Sequence, residues 1–259
     1  LAHELIWTNI LEALDLAGIA LDASERDEDD AIVLAGGPSA WNCEPLAPAL
    51  DAVLLGDGEQ LIVDVCKSIR DSRERGLSRA ELLLRLSRIP GVYVPSLYEV
   101  VHDDGSTRWG RAVPREGTGA PAVVTKACIP DLSATPPVAQ KIVPYMDIVQ
   151  DRLAIEVLRG CARGCRFCQA GMTYRPVRER PEDQIVSATI EGLAKSGHNE
   201  VSLTSLSTTD HSQCARMLNS LNASLGEQGI RVSIPSQRLD SFGIEMATAV
   251  AGGKRGGLT

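Results

Sequence analysis

Short apolar runs, each followed by a glycine turn, mark the first part of the chain. Residues 31–35 and 51–55 are almost entirely apolar, which predicts two short parallel strands buried on both faces. Residues 1–20 predict an amphipathic helix before them. Another predicted helix follows the second strand, and its apolar stripe comprises Ile62, Val65, Cys66 and Ile69. This order predicts a doubly wound α/β arrangement, which binds ligands at the carboxyl ends of its strands.

The stretch that follows is less regular. Residues 78–88 predict a further amphipathic helix, and residues 92–109 predict a hairpin with its turn at 103–106. Earlier in the chain, before the first predicted strand, residues 24–30 are charged and predict a solvated loop. Residues 114–144 are rich in Pro, Gly and Ala, which is typical of a linker or of a segment that wraps around a domain.

Strand–helix repeats fill the last part of the chain. Strands are predicted at 153–158, 201–204 and 230–234, and the final residues, Gly-Gly-Leu-Thr, resemble the start of another. Helices are predicted over residues 181–196, along a face that carries Cys214, Leu218, Leu221 and Leu225, and over residues 240–251. Repeated units of this size predict a parallel sheet or barrel.

Composition supports a packed core and narrows the function. The 259 residues are 44% hydrophobic and 3% aromatic, so we expect an aliphatic core. A net charge of −8 argues against a generic nucleic-acid binder, and no apolar run approaches the length of a membrane span. The seven cysteines show no disulfide-like spacing and no secretory signal is visible, so we expect the reducing cytosol. Because the chain starts at Leu1 rather than Met, we expect a fragment of a longer protein.

Three cysteines in one loop carry the strongest chemical signal. Cys161, Cys165 and Cys168 have the spacing C-x3-C-x2-C directly after a predicted strand, with Phe167 just before the last of them. Three thiolates can hold three corners of a 4Fe–4S cube and leave the fourth iron open for a substrate. A structural zinc site would need a fourth ligand, and Cys128, His198 and His211 are isolated in the sequence.

The cysteine spacing, the aromatic residue and the preceding strand resemble the radical S-adenosylmethionine (radical-SAM) superfamily. Residues 156–161 and 168–180 resemble a bacterial group of radical-SAM proteins with a fused cobalamin-binding domain. The resemblance implies an α/β fold in three parts. Residues 1–90 would be the C-terminal half of a Rossmann-like cobalamin-binding domain, 91–150 a hairpin and linker, and 151–259 the first half of a partial (β/α)6 barrel.

The resemblance also implies the reaction. S-adenosylmethionine would bind the open iron, and one electron would cleave its S–C5′ bond to give a 5′-deoxyadenosyl radical. The electron would come from a donor such as a flavodoxin or ferredoxin. If cobalamin binds, radical methylation of a substrate is our hypothesis, and the sequence does not reveal that substrate.

Further residues become cofactor candidates through the resemblance. Phe167, Ser205, Ser236 and Arg238 would contact S-adenosylmethionine or its cluster, although Ser205 stands where many radical-SAM proteins have a Gly-Gly-Glu motif. An Arg is suited to hold a carboxylate in its fork. The candidates for cobalamin are the turn residues Gly36, Gly37, Pro38, Gly56, Gly58 and Glu59, because glycine lets the backbone approach a large flat ligand.

Two questions stay open at this stage. The first concerns the arginines at 159, 163, 166, 175, 178 and 180, which either stabilise a reduced cluster and grip an anion, or are solvated and paired with carboxylates. The second is the function itself. A methylthiotransferase acting on tRNA or protein would need a second cluster, and a non-enzymatic protein with zinc or an electron-transfer cluster is the other alternative.

Overall fold

The computed structural model of this chain divides into two compact units, Leu1–Ile129 and Pro130–Thr259. It describes residues 1–102, 110–138, 141–146, 148–238, 240, 243–251 and 254–258.

The first unit contains a three-stranded sheet with helices beside it. The helices are α1 (Trp7–Leu16), α2 (Gly58–Glu74) and α3 (Arg79–Leu86), and the strands of the sheet are β1 (Leu34–Gly36), β2 (Ala52–Leu54) and β3 (Val92–Tyr93). Strands β1 and β2 are parallel, as predicted, whereas β3 runs antiparallel to β2. Residues 92 and 93, predicted as the start of a hairpin, therefore form the edge strand of this sheet instead. The chain turns tightly between Ile89 and Val92, where Val92 N–H donates to Ile89 O at 3.0 Å, and so enters the sheet from the opposite end.

Apolar clusters cover the sheet of the first unit. One cluster includes Leu46, Leu50 and Val53, and another includes Leu61, Val65 and Leu86. The buried stripe of α2 therefore runs through Leu61 and Val65. The predicted stripe is confirmed at Val65 and at Ile69, which packs against the same cluster. It is wrong at Ile62, which is 41% exposed, and at Cys66, which is exposed. At 3.6 residues per turn, those two lie about 100° around the helix from the buried pair.

A buried ion triad lies at one end of β2. Asp51 accepts hydrogen bonds from Arg26 Nη1 at 2.8 Å and Arg79 Nη2 at 2.9 Å, and all three side chains are less than a tenth exposed. Arg79 also donates to the carbonyl oxygens of Asp27 and Asp30. The expectation of a wholly solvated loop at residues 24–30 is therefore wrong for Arg26. This side chain is buried because it pairs with Asp51, which lies 25 residues further along the chain.

The hairpin and the wrapping segment follow. Strands β4 (Tyr98–Val101) and β5 (Arg111–Pro114) pair antiparallel, and the predicted turn at 103–106 lies outside the described residues. Beyond β5, the chain packs back on the first unit: Ala127 N–H donates to Leu55 O, and Asp57 N–H donates to Ala127 O, both at 2.9 Å. The stretch before residue 130 is thus a wrapping segment.

The second unit is built on a parallel sheet. Its strands β6 (Leu153–Glu156), β9 (Glu200–Thr204), β10 (Arg231–Ile234) and β11 (Lys254–Leu258) are all parallel, in the spatial order β11-β10-β9-β6. A small antiparallel pair, β7 (Leu158–Arg159) and β8 (Arg178–Glu179), follows β6. The helices are α4 (Ala170–Thr173), α5 (Glu182–Ser196), α6 (Cys214–Leu225) and α7 (Ile244–Ala251).

Helices α5 and α6 form where the sequence predicts them, α7 begins at Ile244 rather than at 240, and the short α4 was not predicted. Helix α5 begins after Pro181, has Glu182 and Asp183 in its first turn, and ends at Gly197, whose φ is +73°. The core between helices and sheet consists of aliphatic side chains that are at most 2% exposed, including Leu153, Ile155, Ile185, Leu203, Met217 and Leu221. Within the described residues, no helix has both the length and the apolar composition needed to cross a bilayer.

Exchange of Gly56 for alanine should destabilise the first unit. Gly56 has a φ of +107°, and a Cβ there would lie 2.0 Å from the Ala127 carbonyl oxygen, so the wrapping segment would have to move. We expect Gly56→Ala to lower the free energy of unfolding by about 3 kcal/mol in urea titration. The matched control is Gly58→Ala, because a Cβ added at Gly58 would have no neighbour within 4 Å. This substitution should change the free energy of unfolding by less than about 1 kcal/mol. Equal effects of the two substitutions would contradict this account.

Candidate functional site

The cysteine loop, residues 160–177, connects β7 to β8. We call the narrow place where its two ends approach each other the neck. Strands β7 and β8 close the base of the loop, with Leu158 opposite Glu179 and Arg159 opposite Arg178. Gly160 lies at this neck with a φ of +87°, and a Cβ there would lie 2.5 Å from Pro176 O and 2.6 Å from Tyr174 O. Only glycine fits this close approach of the two limbs.

The loop folds back on itself beyond the neck. Cys168 N–H donates to Cys165 O and Cys165 N–H donates to Arg163 O, both at 3.0 Å. A Cβ on Gly171, in α4, would lie 3.7 Å from the carbonyl oxygens of both Cys161 and Arg163. The segment after the last cysteine therefore lies beside the segment that carries the first.

The three thiols suit an iron–sulfur cluster in their number and chemistry. Cys161, Cys165 and Cys168 are all reduced and half-buried, so each is accessible to metal. The neighbouring Phe167 is 93% exposed. Across the ranges that the structure describes, no three Cys, His, Asp or Glu side chains are arranged to hold a metal ion. Ligation would therefore require the thiols to turn towards one another within the loop.

Two further loops meet the cysteine loop at the carboxyl edge of the sheet. After β9, Ser205 Oγ and Thr208 Oγ1 share a hydrogen bond of 2.8 Å. Thr208 N–H donates to the carbonyl of Ser236, which follows β10, at 2.9 Å. Arg238 comes next, and its Nη1 lies 3.5 Å from Cys165 Sγ. The structure thus places the predicted residues Ser205, Ser236 and Arg238 in the connected loops beside the cysteines.

Ion pairs link these loops. Arg163 donates to both carboxylate oxygens of Asp210, Nε to Oδ2 at 2.9 Å and Nη2 to Oδ1 at 2.5 Å. Arg238 makes a similar two-point contact with Asp240 at 3.0 and 2.9 Å. The hydrogen bond from Arg163 holds the pKa of Asp210 below its usual value, and Arg238 does the same for the pKa of Asp240. Both carboxylates are therefore ionised at neutral pH.

The arginines in and beside the cysteine loop bond mainly to carboxylates and to backbone carbonyl oxygens. Arg159 donates to both oxygens of Glu156, at 2.9 and 2.8 Å. Other members bond to backbone carbonyl oxygens: Arg175 to those of Cys161 and Ala162, Arg178 to those of Pro176 and Tyr174, and Arg180 to those of Leu132 and Thr135. Arg166 is exposed. Most of the group braces the frame of the loop, and Arg163 ties the loop to Asp210.

A cavity of about 410 Å³ adjoins the first cysteine. It is lined by Leu158, Gly160, Cys161, Ala162, Arg163, Val177, Ser207 and Asp210. Ser207 is 2% exposed, and its Oγ makes no hydrogen bond of good geometry within the described part of the chain. Sequence analysis missed Ser207 and Asp210. Their positions in the sequence could have indicated them, because both follow the predicted strand at 201–204. Asp210 is also an acidic residue that could pair with an arginine of the cysteine loop.

The glycine turns of the first unit lie at the carboxyl ends of β1 and β2. Gly36 ends β1, Gly37 has a φ of +99°, and Pro38 begins a 3₁₀ turn. A Cβ on Gly37 would lie 2.8 Å from Leu1 O, and Gly56 is approached by Ala127. The chain itself therefore uses the space at these two glycines. Gly58 and Glu59 begin α2 and are exposed.

The remaining cysteines are dispersed. Cys43 and Cys214 are buried, and burial raises the pKa of each thiol to about 11. Cys66 is exposed, so its predicted place on a buried apolar stripe is wrong, and Cys128 is exposed too. The second cysteine cluster that a methylthiotransferase would need is not formed among the residues that the structure covers.

Two protein-family models match the chain. The one described as "Radical SAM proteins, N-terminal" matches residues 1–95, and the one described as "Radical SAM superfamily" matches residues 155–254. The cysteine loop and the loops after β9 and β10 lie inside the second match. Together these matches relate both stretches of the chain to radical-SAM proteins.

Individual relatives match more distantly. An uncharacterised protein of Methanocaldococcus jannaschii is 33% identical over 88 residues, which is 34% of this chain and 19% of that protein. The solved structure of TsrM, a radical S-adenosylmethionine methyltransferase from Kitasatospora setae with cobalamin and a [4Fe–4S] cluster bound, matches with a TM-score of 0.57 and 16% identity. That match covers 98% of this chain and 44% of TsrM, so this chain spans less than half of either relative. The likeness to TsrM establishes a shared fold.

Thiol accessibility gives a direct test of the site in the metal-free protein. Five cysteines are exposed or half-buried and two are buried. Since a pKa of about 11 leaves Cys43 and Cys214 about one part in a thousand ionised at pH 8, they should react slowly. We expect five fast thiols in native protein and seven in denaturant, measured with a chromogenic disulfide reagent. Seven fast thiols in native protein would contradict the burial described here.

Proposed function

We propose that this chain is part of a radical-SAM enzyme. The observation that carries the proposal is the loop with three half-buried thiols at the carboxyl edge of a parallel sheet, within the stretch that matches the radical-SAM superfamily. Three ligands suit a cluster with one open iron better than a closed zinc site, which takes four.

The chain's residues would have distinct tasks at this site. Cys161, Cys165 and Cys168 would bind three irons of a 4Fe–4S cluster. When bound, such a cluster supplies the electron that cleaves S-adenosylmethionine. Arg238 is within reach of Cys165, and its fork, which contacts Asp240 in this structure, would turn to the carboxylate of the co-substrate. Ser205 and Ser236 would orient the co-substrate from the neighbouring loops, and the exposed Phe167 would cover it.

We propose that the two units are parts of two larger folds. The parallel strands β6, β9, β10 and β11 would be the first strands of a partial (β/α)6 barrel. The sheet of the first unit would be the C-terminal half of a Rossmann-like domain. The support is the strand–helix alternation of the second unit and the likeness in fold to TsrM.

Cobalamin is the second cofactor that we propose. TsrM carries cobalamin as well as its cluster, and β1 and β2 of this chain present both glycine turns at one sheet edge. Gly58 and Glu59 are exposed at that edge, and no atom lies within 4 Å of a Cβ placed on Gly58. The chemistry would then be radical methylation of a substrate, with electrons from a flavodoxin or ferredoxin.

The cluster can be tested in the full-length protein. After anaerobic reconstitution we expect about four irons per chain and, on reduction, cleavage of S-adenosylmethionine to 5′-deoxyadenosine and methionine. Exchange of Cys161, Cys165 or Cys168 for alanine should abolish cleavage, because each removes a thiolate ligand. Cys128→Ala is the matched control, since Cys128 is exposed and remote in sequence, and it should retain both iron and cleavage. Zinc bound in place of iron, or cleavage that survives loss of all three cysteines, would refute the proposal.

Cobalamin binding calls for a separate measurement. Full-length protein incubated with hydroxocobalamin and desalted should keep the cobalamin absorption spectrum. Gly58→Val should weaken that binding roughly tenfold, about 1.4 kcal/mol, because a branched side chain would obstruct the open part of the turn. Ala80→Val, at an exposed position in the first turn of α3, is the control for placing a β-branched residue there. A wild-type protein that retains no cobalamin would remove this part of the proposal.

A further inference from the structure

The carboxylate of Asp210 contacts the first half of the cysteine loop. Arg163 lies between Cys161 and Cys165, and its guanidinium donates to both oxygens of Asp210. The Asp210 side chain is 18% exposed and Arg163 is 42% exposed, so the pair is partly shielded from water. A two-point contact of this kind fixes direction as well as distance.

The turn that carries Asp210 is itself rigidly placed. It is a 3₁₀ turn, Thr208–Asp210, in which Asp210 N–H donates to Ser207 O at 3.1 Å. Thr208 and Thr209 are buried, and Thr208 N–H is bonded to the segment after β10. Asp210 therefore presents its carboxylate from a fixed position relative to the sheet.

His211 completes the anchoring of this turn. Its Nδ1 accepts a hydrogen bond from Gln213 N–H at 3.1 Å, so Nε2 carries the proton and donates to Arg180 O at 3.0 Å. The ring is 4% exposed. Arg180 directly follows β8, which closes the base of the cysteine loop, so the same turn contacts both the tip of the loop and its exit.

We propose that Asp210 is a positioning residue for the cluster site. Through Arg163 it holds the segment between Cys161 and Cys165 against the loop after β9, and so sets where the first two thiolates stand when metal binds. Arg163 Nη1 also lies 3.9 Å from Asp240, whose partner Arg238 reaches Cys165. This inference rests on the proposed cluster site, and Asp210 itself acts through Arg163.

The test compares iron retention in reconstituted full-length protein. In Asp210→Asn the amide keeps the shape of the side chain but loses the charge and one acceptor, so the loop should be released. We expect an iron chelator to remove iron about tenfold faster than from wild type, the scale typical of partners that orient metal ligands. Arg163→Lys, at a partly exposed position, should behave likewise, because an ammonium cannot make the two-point contact.

Three controls separate positioning from a general loss of stability. Asp210→Glu keeps the charge and should recover most of the retention. The double variant Asp210→Asn, Arg163→Lys should be no worse than the worse single variant, since both act through one contact. Glu182→Gln removes a carboxylate that is similarly shielded, 14% exposed and paired with Arg216, and should leave iron release unchanged.

A spectroscopic signature completes the test. The electron paramagnetic resonance spectrum of the reduced cluster should change in Asp210→Asn and return in Asp210→Glu, while the unfolding midpoints of the metal-free proteins stay alike. Wild-type protein that holds iron, with unchanged release and spectrum in both Asp210→Asn and Arg163→Lys, would overturn this inference and leave the proposed function standing. Wild-type protein that binds no iron would overturn both.

Discussion

The parallel pairing of β6 with β9 and of β9 with β10 is the constraint on which the site depends. Leu153 lies opposite Val201 and Ile155 opposite Leu203, and these four side chains are at most 1% exposed. A shift of one residue would turn buried side chains towards solvent, so burial fixes the register. Because the strands are parallel, their carboxyl ends share one edge. The cysteine loop, the turn with Asp210 and the segment with Arg238 all start from that edge.

Much of the second unit could be predicted because its signals are local. Buried strands appear as apolar runs, and Pro181 and Gly197 mark the ends of α5. Three cysteines within eight residues mark the loop that we propose binds a cluster. These inferences use residues that are near one another along the chain. Arg238 became a candidate through the resemblance, and the structure puts its Nη1 3.5 Å from Cys165 Sγ.

The inferences that failed needed partners far away in the sequence. Arg26 is buried because Asp51 lies beside it in space, 25 residues on. The face of α2 that the sheet covers is chosen by packing, and Leu61 and Cys66 are both apolar enough to fit a stripe. Glycine at position 56 signals a close approach, but only the fold shows that Ala127 makes it. For the same reason Asp210 could not be matched with Arg163 by spacing.

The neck at Gly160 divides the cysteine loop from the sheet mechanically. Since two carbonyl oxygens close in where a side chain would stand, the limbs of the loop cannot slide past each other at that point. Rearrangement of the loop around the proposed cluster would therefore end at the neck and leave β6 and β9 undisturbed. These strands would form the same frame with and without that cluster.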